Sequence, residues 1–95
     1  MTFLQHIFTQ LSSSQLVGSA QAFSTLYMSK HANWYSYQRH VGSDFSCATA
    51  IQCLRSVRDQ LACGQHNPQQ QRVLAGIEAQ LLDHLRAAYH VADVI

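Results

Sequence analysis

The side chains best equipped to recognise another molecule lie between Ser19 and His40, in the stretch SAQAFSTLYMSKHANWYSYQRH. Asn33 and Gln38 carry carboxamides that can pair bidentately with adenine, and Arg39 carries a guanidinium suited to guanine or to a phosphate. His31 and His40 flank them and could gain charge beside a phosphate. The chemistry this suggests is recognition of base edges and phosphates, with no bond made or broken.

Catalytic and metal-binding patterns are missing from the rest of the chain. The six histidines His6, His31, His40, His66, His84 and His90 include no pair at the i, i+4 spacing of a helical zinc site, and His84 and His90 are six apart. No glycine-flanked nucleophile elbow surrounds Ser24, Ser36 or any cysteine. Cys47, Cys53 and Cys63 are odd in number, lack a C-x-x-C spacing, and read as small apolar fillers in a reducing cytoplasm. The expectation is a cytoplasmic binding module, not an enzyme, with neither cofactor nor metal. Met1 to Leu11 is apolar but lacks a basic leader and a cleavage site, and no stretch is long and apolar enough for a membrane span.

Five helices are expected to carry the recognition segment. Phe3, Leu4, Ile7, Phe8 and Leu11 sit at helical spacing and end in the serines Ser12 to Ser14. Gly18 supplies a residue free to take positive φ, after which Ser19 caps a second helix with the stripe Ala22, Phe23, Leu26 and Tyr27. A tight turn at Met28-Ser29 follows, with Ser29 as N-cap of an exposed third helix from His31 to His40. Trp34, Tyr35 and Tyr37 cannot all face inward there, so at least one ring is left for a partner. Asp44 or Ser46 caps a fourth helix with the face Ala50, Leu54, Val57 and Leu61, stopped by Gly64. Asn67 and Pro68 then open a fifth, with a stripe through Leu74, Ile77, Leu81, Leu85, Ala88 and Val91 to about Asp93.

Charge and size shape the partner expectations. Only 12% of the 95 residues are charged, so a second copy is expected to cover apolar surface. Leu74, Ile77, Leu81, Leu85 and Ala88 alternate by three and four and are the expected homodimer face, the alternative being that this stripe covers the chain's own core. Residues 1–58 hold Lys30, Arg39, Arg55 and Arg58 against Asp44 alone, whereas residues 59–95 are net acidic. The front half is therefore the side that suits a polyanion.

From Ser-Ala-Gln-Ala-Phe-Ser through Met-Ser-Lys to the aromatic helix, residues 19–40 resemble the helix-turn-helix of the lambda-repressor-like group. The pairs Phe23-Ser24 and Tyr35-Ser36-Tyr37 are similar to runs in small bacterial and phage proteins of that type. The likeness extends more weakly from about Leu11 to Leu61, and Met28 stands where such motifs usually place a turn glycine. The resemblance implies a helix-turn-helix domain, placed at residues 1–64; residues 65–95 lie outside the likeness and are expected, from their apolar stripe, to form a C-terminal dimerisation helix. It also implies double-stranded DNA as partner, with phosphate contacts from Ser19 and Gln21. Lys30, His31, Asn33 and Ser36 would enter the groove, and Gln38, Arg39 and His40 would trail toward the backbone. The competing expectation is a protein partner, gripped by the aromatic third helix of an antiactivator or adaptor.

Overall fold

The computed structural model describes residues 1–89 and is all-α. Helix α1 spans Phe3–Ser13, α2 Ala20–Ala22 with a continuous π-helical turn over Phe23–Tyr27, α3 Trp34–Val41, α4 Cys47–Cys63 and α5 Pro68–Tyr89. Among the described residues there is no strand, and the expected five-helix bundle is the observed architecture. No helix is long and apolar enough to cross a membrane. His90, Val91 and Asp93, the expected end of the fifth helix, lie outside the described residues.

The first helix starts because its orphan amides are taken up twice. The Thr2 hydroxyl accepts from Gln5 N at 3.1 Å, and the Asp44 carboxylate, forty residues away, accepts from Phe3 N at 3.1 Å and Leu4 N at 2.8 Å. Of the two residues expected as cap of the fourth helix, Asp44 and Ser46, it is Ser46 that caps it, in a capping box with Thr49, which frees Asp44 to join the start of α1 to the α3–α4 loop. The residue that turns left-handed after α1 is Gln15, at φ 62°, and not the Gly18 expected from its flexibility. Leu16 N and Val17 N both return to Leu11 O, so the turn forms earlier than Gly18.

Leu4, Ile7 and Leu11 are sealed in one core with Phe23, Met28, Ala50, Cys53, Leu54 and Val57. The fifth helix closes it. Leu74, Ile77, Leu81 and Leu85 are each 0% exposed in the single chain, packed mainly against α4 and also against α1. This corrects the expected dimer face, because a stripe already covered by its own bundle has no surface left for a second copy. Ala88 is exposed, but alone it makes no seam.

Polar ties fix how α5 sits. Gln10 and Gln80 exchange reciprocal amide bonds at 3.0 Å, Arg58 meets Glu78 at 2.7 Å, and Gln70 Nε2 donates to Ser14 O at 3.1 Å. Its start follows the expected pattern. Pro68 opens the helix, while Asn67 Oδ1 accepts from Gln70 N and Gln70 Oε1 accepts from Asn67 N.

Candidate nucleic-acid interface

The second helix begins as the sequence implied: Ser19 is its N-cap, its hydroxyl accepting from Ala22 N at 3.0 Å. Its end does not follow the expected 3.6-residue stripe. Met28 N reaches back five residues to Phe23 O at 3.2 Å, which widens the turn and brings Phe23, Ser24, Tyr27 and Met28 inward. Leu26, expected in the core, is rotated out to 71% exposure. The wide turn is held on its far side by Ser56, whose hydroxyl donates to Tyr27 O at 2.6 Å and accepts from Gln52 Nε2 at 3.2 Å.

The chain then leaves α2 through Ser29, which has φ 54°. Ser29 is left-handed and lies five residues before Trp34, so it does not begin α3 as expected. The left-handed position that a turn glycine would fill is thus Ser29, one residue later than Met28, because the π turn inserts one residue. Six residues, Met28 to Asn33, separate Tyr27 from Trp34, so the joint is longer than a tight turn. Lys30, His31 and Asn33 therefore stand in the loop before α3 and not on its first turn. Asn33 is the N-cap residue, yet its side chain makes no capping bond.

What starts α3 instead is a side chain from α2. The buried Ser24 hydroxyl donates to Ala20 O at 3.0 Å and accepts from Tyr35 N at 2.9 Å. Trp34 N closes the loop on His31 O, and Lys30 N bonds Ser24 O at 2.9 Å. Tyr35 is thereby fixed inward, 2% exposed, stacked on Phe8 at 4.5 Å and edge-on to Phe23 at 5.2 Å. Burial pushes its phenol above the ordinary 10, opposed by the nearby Arg39 guanidinium. At the other end Gly42, φ 74°, and the Ser43 N bond to Gln38 O close α3 in a Schellman-type turn.

With Tyr35 inward, Ser36, Arg39 and His40 share an exposed face at i, i+3 and i+4. They line a groove of about 370 Å³ together with Ala20 at the start of α2 and the rings of Phe8 and Tyr35. Ser19, Gln21, Lys30, His31 and Asn33 are also exposed, whereas Gln38 is half-buried. Tyr37 and Val41, at i and i+4, are 61% and 49% exposed. Trp34 is half-buried, so the ring of α3 that stays exposed is Tyr37.

The cysteines divide by position. Cys53 is fully buried, and burial pushes its thiol up to about 12, so it stays protonated and serves as packing. Cys47 is half-buried, and Cys63, expected as a filler, is exposed with its thiol donating to Gln60 O at 3.1 Å. No group of three or more His, Cys, Asp or Glu side chains among the described residues could hold a metal.

The sequence reading missed Ser24, Ser56 and Asp44 as joints. Ser24 could have been found: a hydroxyl within an apolar helical stripe must satisfy itself, and the next segment is where a donor would come from. No curated protein and no solved structure matches the chain. One family model does, across residues 4–93, and on that match the protein belongs to DUF6626, a family of unknown function.

Proposed function

We propose that the protein is a small DNA-binding regulator that presents α3 and the loop before it to duplex DNA. The observation that carries this reading is the seating of Tyr35 by Ser24, which turns Ser36, Arg39 and His40 outward beside the start of α2. Ser19, Gln21, Lys30, His31 and Asn33 are exposed, and in a helix-turn-helix docking Ser19 and Gln21 would meet the duplex backbone while Lys30, His31 and Asn33 would lead into the groove. One copy offers one two-turn helix and few cations, so tight binding calls for two adjacent sites. The α5 stripe is not what joins two copies.

A random-sequence duplex titrated by fluorescence anisotropy between 50 and 300 mM salt tests the reading. With Lys30, Arg39 and one further cation near phosphates, the log–log slope is expected at about −2 to −3. Lys30→Ala and Arg39→Ala should each reduce it by about one. Absence of binding at low salt, or binding indifferent to salt, overturns the proposal. The second reading, a module that grips another protein, is favoured by exposed Tyr37 and Val41 on neighbouring turns of α3 and by the low charge content.

A further inference from the structure

We propose that the groove between α1, the start of α2 and α3 is a binding site for a small aromatic monocarboxylate. Arg39, Ser36 and the Tyr35 hydroxyl hold the carboxylate, and Phe8 and Ala20 wall its ring. The groove measures about 370 Å³, within the size range of sites that take small molecules. A second observation points to a ligand there. Tyr35 is 2% exposed, its ring stacked on Phe8 and edge-on to Phe23, yet its hydroxyl makes no hydrogen bond to any described residue. Buried phenols ordinarily find a partner. Among the described residues the sealed side-chain polar atom without one is His84 Nε2, so the Tyr35 hydroxyl is open to space, and the space that Tyr35 lines is this groove.

The polar side chains lining the groove, Tyr35, Ser36, Arg39 and His40, all offer donors, and none is a carboxylate. Arg39 is not spent on an acid elsewhere. The ion pairs among the described residues join Arg58 to Glu78 and Arg86 to Asp83, and Asp44 gives its oxygens to Phe3 N and Leu4 N. A guanidinium with its planar fork unused, beside two hydroxyls, suits an oxyanion that can accept two parallel bonds. Arg39 is also the one permanent cation lining the groove, and a carboxylate matches its single charge. A phosphate monoester would bring about −1.5 to −2 at neutral pH. The rest of the lining is the rings of Phe8 and Tyr35 and the Ala20 methyl, which favour a flat aromatic body. The site is preorganised, because Ser24 holds Tyr35 N at 2.9 Å and Phe8 holds its ring, so little ordering is left for the ligand to impose.

Sodium benzoate titrated into the wild-type protein at fixed ionic strength, followed by amide correlation spectra, tests the site. The amides of Ala20, Ser36 and Arg39 should shift and saturate with a Kd on the order of 1 mM, the scale for so small a ligand. Acetate, which lacks the ring, and benzyl alcohol, which lacks the charge, should each bind more weakly. Arg39→Ala should weaken benzoate binding by about tenfold to a hundredfold. Tyr35→Phe keeps the ring and the backbone bond to Ser24, so it should fold with an unchanged melting temperature and lose about threefold to tenfold in affinity. Arg55→Ala, exposed on α4, should bind as the wild type does. Shifts that never saturate, or that persist at full affinity in Arg39→Ala, overturn the site. Benzyl alcohol or acetate binding as tightly as benzoate overturns the aromatic carboxylate, as does phenyl phosphate binding more tightly. Full affinity in Tyr35→Phe removes the hydroxyl from the site. No duplex enters these measurements, so the DNA-binding reading stands or falls separately.

Discussion

The hydroxyl of Ser24 accepts the backbone amide of Tyr35 at 2.9 Å, a buried bond across eleven residues that joins the middle of α2 to the first turn of α3. The same hydroxyl donates to Ala20 O at 3.0 Å, so it is used as donor and as acceptor at once. Ser24→Ala should leave Tyr35 N–H unsatisfied and cost about 1–3 kcal/mol in urea denaturation. Hydrogen exchange at the Tyr35 amide should rise more than at Leu54 in α4, and equal changes at both sites would show that the bond orients nothing.

Asp44 makes a second long-range joint, with Phe3 N and Leu4 N on its two carboxylate oxygens. Asp44→Ala removes both acceptors while Thr2 keeps Gln5 N, so the first turn of α1 should fray and the protein lose about 1 kcal/mol. Asp44→Asn retains one oxygen and should lose less. A melting temperature unchanged in Asp44→Ala would mean that solvent serves those amides equally well.

Where a local signal sufficed, the sequence was enough: Ser19, Ser46 and the Asn67-Pro68 pair start helices as their side chains and φ preference dictate. Apolar spacing likewise placed Ala50, Leu54 and Val57 inward. What failed was decided by contacts from far along the chain. Leu26 follows the 3.6-residue period of its helix, but the π turn anchored by Ser56 changes that period. Ser29 has the side chain of a cap and the wrong backbone. In the fifth helix a stripe covered by α1 and α4 looks the same in sequence as one covered by a second copy, so Leu74 to Leu85 were assigned to a dimer. The same limit separated Asn33 from Gln38, whose chemistry is alike and whose exposure is not.

The fully buried fifth-helix stripe has a direct consequence. Leu81→Ala should cost about 2–5 kcal/mol, the range for emptying a core leucine site, and should do so independently of protein concentration. A chain ending at Gly64 exposes the faces of α1 and α4 that α5 covers and should be unfolded by circular dichroism, not a stable monomer. A folded truncation, or a Leu81→Ala penalty that grows on dilution, would restore the dimer face.

Alkaline pH provides the last expectation, from two neighbouring buried groups. The thiol of Cys53 is raised from 9.0 to about 12 by burial, and the phenol of Tyr27 from 10.0 to about 12 by burial, with Cys53 and Cys63 adding repulsion. Both release their protons in the unfolded chain at lower pH than in the native one. The stability they contribute is therefore complete below about pH 9 and is lost as pH rises toward 12. The free energy of unfolding from urea titrations should fall progressively from about pH 9 upward, by several kcal/mol in total at pH 12. Cys53→Ala should begin less stable at pH 8 but decline later, from about pH 10, as the buried phenols of Tyr27 and Tyr35 then titrate. A thiol reagent at neutral pH should label Cys63 at once and Cys53 only at the rate of unfolding, and rapid native-state labelling of Cys53 would contradict its place in the core.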